Sequence, residues 1–226
     1  SLQSFNQINE DRKAPNIILS LKEGKDIALV SDAGTPLISD PGYKFIKHAR
    51  ESNIKVEPVP GCCALIAAIT SSGLPSDQFS FHGFLPRSAT KRINELNKIS
   101  DKEETLIFYE SVHRIQSAIE DMISVFGGNR PAVLCKEITK IHESFIGETL
   151  SDISIFFKKN EDKIKGEFTI VVQGSSAIEG IGEELDRVLR ILMGELSLKK
   201  AVEIASKITK HSKSKIYDRA LKIKNQ

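Results

Sequence analysis

The chain has 226 residues, 40% of them hydrophobic, and a formal charge of +2, enough for one large domain or two small ones around a sizeable core. Its apolar runs are too short for a membrane-spanning helix. Ser1–Pro15 is polar and mixed in charge, unlike a secretory leader, and Cys62, Cys63 and Cys135 form no spaced disulfide framework. A helical membrane protein and a disulfide-stapled domain are excluded, and a reduced, cytoplasmic setting is expected.

Residues 14–23 carry Ile17, Ile18 and Leu21 at helical spacing. Residues 27–42 read I-A-L-V-S-D-A-G-T-P-L-I-S-D-P-G. Ile27–Val30 suits a buried strand, and Gly34, Pro36, Pro41 and Gly42 force an irregular loop behind it. A helix is expected next, with Tyr43, Phe45 and Ile46 on one face. A glycine-bearing loop at the carboxyl end of a buried strand is where open α/β sheets hold ligands. Gly34 allows close backbone approach, and Asp32 can accept hydrogen bonds. The plainer alternative is an ordinary connection whose aspartate caps the helix; the local pattern does not separate the two.

Val56–Val59 reads as a second strand, closed by Pro60-Gly61, and Ala64–Thr70 as a small apolar helix. Strand, helix, strand, helix implies a mainly parallel or mixed sheet flanked by helices. Cys62 and Cys63 read as small packing residues beside a site rather than nucleophiles. Phe79–Pro86, rich in aromatics and punctuated by Gly83 and Pro86, reads as a connector between domains. A charged helix is expected over Lys91–Ile99, a strand over Thr105–Tyr109, a helix over Ile115–Phe126 closed by Gly127-Gly128-Asn129, a strand over Ala132–Cys135, a helix over Thr149–Phe157 and a strongly β-prone strand over Glu167–Val172. These make a second α/β unit.

Beyond Gly174, Glu183–Gly194 and Leu196–Ile208 carry helical periodicity, and Ser212 is placed to cap a third helix running through Ile223. From Leu196 onward nine Lys or Arg face only Glu203 and Asp218, a local charge of +7, which leaves the rest of the chain at −5. A basic tail on a mildly acidic body points to a polyanionic partner or to a solvated helical face. The expected units are therefore 1–80, 81–176 and a helical module over 181–226.

Common nucleotide, metal and nucleophile signatures are missing. There is no G-x-G-x-x-G, no phosphate-loop motif and no G-x-S-x-G. His142-Glu143 is followed by Ile146 where a zinc-protease helix needs a second histidine, so no metal is expected. Two strand-end clusters do carry chemistry: Phe108-Tyr-Glu-Ser-Val-His-Arg114 and Lys136-Glu-Ile-Thr-Lys-Ile-His-Glu143. Loops at matching strand ends converge in such folds; salt-bridged loop surface is the alternative.

In order along the chain stand S-D-A-G-T-P-L-I-S-D-P-G, P-G-C-C-A-L-I-A-A-I-T-S-S-G-L-P-S-D, F-H-G-F-L-P-R, L-I-F-Y-E-S-V-H-R, K-E-I-T-K-I-H-E and K-G-E-F-T-I-V-V. This ordered set resembles the ribosomal RNA small subunit methyltransferase I family of tetrapyrrole-methylase-like (class III) methyltransferases, over essentially the whole chain. The resemblance implies S-adenosyl-L-methionine as cofactor, 2′-O-methylation of a cytidine ribose in the decoding region of 16S ribosomal RNA, and a homodimer. It implies cofactor contacts at Asp32, Ala33, Gly34, Pro36, Cys63, Ala64, Tyr109, Glu110 and Ile138. A ribose hydroxyl is a weak acid that a nearby base would help; Glu110, His113, Glu137 and Lys140 qualify by type, and Glu110 is taken as the catalytic candidate. Expected RNA contacts are Arg87, Lys91, Arg92, Arg114 and Lys140, with Lys207, Lys210, Lys213 and Lys215 on the tail. Lys91 and Arg92 open a helix, where cations are unfavourable unless an anion offsets them.

The chain departs from the family at Cys62 and Cys63 (commonly Pro and Ser), Val112 (often Pro), Ile146 (near a common Arg) and Asn6 or Gln7 (commonly His). Family members also carry a further strand with a Pro-Ile-Gly-Asn loop and an E-D-T-R segment, matched by nothing here, so the sequence is expected to open inside the first half-domain. Two other functions stay open: a small-molecule methylase acting on a tetrapyrrole, against which the basic tail argues, and a non-catalytic RNA-binding protein.

Overall fold

The computed structural model describes residues 2–6, 8–160, 164–175, 183–209 and 213–224. Its centre is a five-stranded sheet of β1 (Phe79–Phe84), β2 (Thr105–Glu110), β3 (Ala132–Lys136), β4 (Ser144–Ile146) and β5 (Phe168–Val172), in the order β1-β2-β5-β3-β4. β1 and β2 run parallel, and the other three pairs are antiparallel. The sheet is therefore mixed. Strands β2 and β5 lie inside it, which is why both read as unbroken apolar runs rather than alternating ones.

One face packs on α4 (Ala89–Lys98), α5 (Ile115–Phe126) and α6 (Leu150–Lys159), through Leu96, Ile115, Ile119, Met122, Ile153 and Phe157. The other face receives α3 (Ala64–Ser71), whose Leu65, Ala68 and Ile69 meet Ile107, Val133, Cys135 and Val171. Thr149 starts α6 with a reciprocal capping box: its hydroxyl accepts the Asp152 N–H, and Asp152 accepts the Thr149 N–H. Beyond β5 the chain passes so close to another loop that a Cβ on Gly174 would lie 2.0 Å from the Glu103 carbonyl oxygen, so only glycine fits.

Helices α1 (Glu10–Lys22) and α2 (Tyr43–Glu51) close a smaller core of Ala14, Ile18, Phe45 and Ala49, with Leu29, Ile54 and Val56 at its margin. The α2 first turn has no acid of its own; the buried Glu10 supplies one by accepting the Phe45 N–H at 3.2 Å. The basic tail forms a third cluster. Helices α7 (Glu183–Glu195), α8 (Leu198–Thr209) and α9 (Lys213–Lys224) pack around Leu189, Val202 and Ile216, and Arg219 clamps Asp186 with two hydrogen bonds. Lys210, Ser212 and the Lys215 side chain lie outside the described residues.

Four expectations change. Ile27–Val30 and Val56–Val59 carry no regular secondary structure and join no ladder among the described residues. Val30 is 72% and Val59 88% exposed. An apolar run becomes a strand only when a neighbour takes its N–H and C=O groups. Phe79–Pro86 is mainly an edge strand rather than a connector, its alternation disguised by a bulge. β4 is only three residues long, too short to register as a period. Tyr43 points to solvent, 71% exposed, because the α2 stripe is carried by Phe45 and Ala49.

Candidate functional site

The pairings set the site's position. β1, β2 and β3 all end at the same sheet edge, where Glu110, Phe168 and Lys136 lie side by side across β2, β5 and β3. The loops 85–88, 111–114 and 137–143 leave from that edge. Two distinct environments form there.

The first lies on the α3 face. Tyr109, Cys63, Ile138 and Ile38 all pack, partly buried, against the α3 cluster. The Leu65 N–H donates to the Tyr109 Oη at 3.1 Å, joining the start of α3 to the end of β2. The loop 31–42 is drawn in from the other side: Thr35 Oγ1 donates to the Cys62 carbonyl at 2.8 Å, and Ser39 Oγ lies beside Gly83 of β1. Ser31 donates to Asp40 and orders the loop. Burial, then the nearby Cys63 and Asp40, pushes the Tyr109 phenol up to about 12, so it stays a neutral donor and acceptor at physiological pH. Asp32, Ala33, Gly34 and Ala64 remain exposed around this cluster. Cys135 lies beneath it, its thiol likewise raised to about 12 by burial and unreactive.

The second environment is a cavity of about 690 Å³ between Phe84–Arg87 on one side and Ser111, His113 and Arg114 on the other. Arg114 is fixed from three directions. It donates to the Leu85 carbonyl at 3.0 Å and the Ser111 hydroxyl at 3.1 Å, and its other terminal nitrogen pairs with Glu110 at 2.7 Å. Glu110 itself is 2% exposed; its Oε1 also accepts the Ser111 N–H at 2.7 Å. Because side chains alternate along a strand, Glu110 faces away from Tyr109, beside Phe108 on the α5 side. The two environments share a wall. Phe84 borders the cavity, and its ring meets Tyr109 edge-on at 5.8 Å.

The structure thus gathers Cys63, Tyr109 and Ile138, and brings the 31–36 loop to them through Thr35. It does not put the Glu110 carboxylate among them; that group holds Arg114. Of the expected RNA contacts, Arg87 and Lys91 are exposed and form no ion pair among the described residues. Arg92 is a correction. It is 4% exposed and pairs with Asp121 at 2.6 Å, joining α4 to α5. The anion that offsets its charge at the helix start is Asp121, not a phosphate. Lys140 is held between Glu137 and Glu167, and the first of these contacts raises its pKa. Glu137 is held below the usual carboxylate range by the Glu167 N–H and then by Lys140, which makes it a loop brace. Thr35 and Phe84 are the residues the sequence reading missed. For Phe84 a signal exists: Phe79-Ser-Phe81-His alternates, and Gly83 interrupts the period by one residue.

Among the described residues no group of His, Cys, Asp and Glu is arranged to hold a metal ion, and no helix is long and apolar enough to cross a membrane. Residues 3–154 match the family described as tetrapyrrole (corrin/porphyrin) methylases, and residues 179–224 match the RsmI C-terminal HTH domain. A curated relative from Pseudomonas aeruginosa, ribosomal RNA small subunit methyltransferase I, is 44% identical over 97% of this chain and 79% of its own length. The protein of the same name from Haemophilus influenzae is 41% identical over 92% of this chain and 75% of its own. Among solved structures, the methyltransferase CobJ superposes with a TM-score of 0.56 at 18% identity, covering 79% of this chain and 76% of that one. Diphthine synthase gives 0.56 at 16% identity, covering 76% of this chain and 68% of that one. At these identities the two structures bear on the fold alone. On the sequence matches, the chain belongs to the ribosomal RNA small subunit methyltransferase I family of the tetrapyrrole methylases.

Proposed function

We propose that the chain transfers a methyl group from S-adenosyl-L-methionine to the ribose 2′-hydroxyl of a cytidine in the decoding region of 16S ribosomal RNA, in the cytoplasm and as a homodimer, with a first unit that ends near residue 80, where β1 opens the second, and a helical module over 181–226. The names of its relatives support the reaction class and the substrate. The observation that carries the reading is the shared wall between Tyr109 and Phe84: a half-buried cluster fit for a small cofactor adjoins a cavity with cations at its rim.

The residues present fit the cofactor. Gly34 sits at φ +71°, and the backbone of 33–36 lies open beside the 62–64 turn to which Thr35 ties it. Ala33–Pro36 with Asp32 would hold one side, Cys63 and Ala64 another, and Tyr109 and Ile138 the floor. When bound, the group supplies an electrophilic methyl on a sulfonium. The protein's task is in-line placement of the acceptor hydroxyl, worth more here than strong base catalysis. Glu110 acts through Arg114, as a positioning residue. Of the candidate bases Glu110, His113, Glu137 and Lys140, only His113 lines the cavity, where it would take the released proton.

Incorporation of labelled methyl groups into small ribosomal subunits, followed by mapping of the modified ribose, tests the reading. Incorporation at a cytidine 2′-oxygen supports it; transfer to a tetrapyrrole, or to neither, overturns it. The rim makes a separate prediction. Alanine at both Arg87 and Lys91 should weaken RNA binding and lower the salt slope of log affinity by about 1.4, from ~0.7 per phosphate contact to a single strand, leaving cofactor affinity intact. An unchanged slope in a salt titration would remove both from the RNA surface.

A further inference from the structure

We propose that the cavity between Phe84–Arg87 and Ser111–Arg114 takes one unstacked nucleotide of single-stranded RNA, its base lying on the Phe84 ring and its phosphate on Arg87. This rests on the methyltransferase reading above and gives it a substrate subsite.

The volume of about 690 Å³ is that of an open cleft, and it lies within the size range of small-ligand sites. Phe84 is 54% exposed, the most open of the aromatic side chains on the five strands. Its placement is built rather than incidental. Phe81 pairs with Ile107 but Phe84 with Tyr109, so one extra residue bulges out of β1 between them, with Gly83 at φ +62°. Without the bulge Gly83 would stand opposite Tyr109. With it, Phe84 does, and a ring is presented at the strand end. Bulges re-aim side chains in this way beside functional sites.

The two arginines divide the labour. The Arg114 charge is compensated by Glu110, and its plane is set by Leu85 and Ser111, both of which line the same cavity. A guanidinium so held offers a flat, rigid wall to a base. Arg87 has no anionic partner among the described residues and is left for a phosphate. An exposed aromatic ring with a free cation beside it is how single-stranded RNA is gripped irrespective of sequence. A base enters such a cavity only when it leaves its stack. Through the Phe84–Tyr109 contact, a base stacked on Phe84 brings its own ribose towards the cofactor cluster.

The test uses the full chain and a fluorescein-labelled single-stranded RNA dodecamer, read by anisotropy, with S-adenosylhomocysteine affinity measured in parallel by calorimetry. Phe84→Ala and Phe84→Leu should each weaken RNA binding roughly 5- to 150-fold, the range of one lost base stack. Phe84→Trp should retain it, and all three should keep the parent's affinity for S-adenosylhomocysteine. Leucine preserves apolar volume, so it carries the test if the alanine variant folds poorly. RNA affinity that is unchanged in both the leucine and alanine variants overturns the proposal, as does an equal loss of RNA and S-adenosylhomocysteine binding in the leucine variant. Methyl incorporation into small subunits by the parent chain separates the two levels. If the parent methylates them and the Phe84 variants bind RNA normally, the subsite alone is wrong. If the parent methylates nothing but the variants lose RNA, the reaction is wrong and the subsite stands.

Discussion

Gly34→Val should reduce affinity for S-adenosylhomocysteine by roughly 5- to 150-fold while leaving the fold intact. Gly34 is exposed and sits at φ +71°, where a β-branched residue is strained. A bare Cβ would lie 3.6 Å from the Cys62 carbonyl oxygen, an ordinary contact, so the cost of valine lies in its backbone preference and its two further methyls. A residue forced into such a conformation costs about 1–3 kcal/mol. The loop relieves that strain by moving, which breaks the Thr35–Cys62 tie, and binding must then restore the strained form. Apparent affinity falls by the fraction of molecules still competent. Calorimetry measures the loss and a thermal melt checks the fold. Parent affinity in a folded Gly34→Val chain would take the 31–36 loop out of the cofactor site.

Arg92→Ala should destabilise the chain by roughly 3–5 kcal/mol, the usual cost of stranding one member of a buried ion pair. At about 2–4 °C per kcal/mol for a chain of this size, the melting midpoint falls by on the order of 10 °C. The partner left behind is Asp121, which also receives the Arg92 Nε–H at 2.6 Å. Arg92 further donates to the Pro86 and Arg87 carbonyls, so the loop carrying Arg87 loosens with it. Replacing both members with Met and Leu should restore much of the loss, since two apolar groups leave no stranded charge. A melting midpoint within 2 °C of the parent, an allowance set by the same ~2–4 °C per kcal/mol, would show the pair to be solvated. Arg87→Ala should have the opposite profile, with RNA affinity reduced and stability unchanged.

Those two arginines show where sequence reading succeeds and where it stops. Both lie in one basic stretch of the same segment, and nothing local separates them. What separates them is Asp121, 29 positions further on, brought near only when α4 packs on α5. Elements with strong periods were legible: α5 falls on the expected residues, and β2, β3 and β5 agree to within one residue at either end. Their signal is apolar burial, which is written in each element's own residues. Ile27–Val30 carried the same signal and forms no ladder, because pairing belongs to two segments and not to one. The site divides likewise. The loop at Gly34 and the strand end at Tyr109 announce themselves by glycine and by position, and the chain's order of motifs ties them to a family. The turn of Glu110 away from Tyr109, towards Arg114, is a matter of facing that depends on which residue of β2 opposes which residue of β5.

That dependence has a consequence for how the chain tolerates insertions and deletions. Tyr109 pairs with Thr169 and Glu110 with Phe168. The sheet thereby acts as a selector, delivering a phenol to one compartment and a carboxylate to the other from adjacent codons. A slip of one residue in β2 exchanges the two deliveries. The carboxylate would then lie among the apolar side chains of α3, and the phenol would face Arg114 in its place. Length changes in the loops leave the selector untouched, whereas a single deletion inside β2 ahead of Tyr109 rewires both compartments at once while keeping both the phenol and the carboxylate.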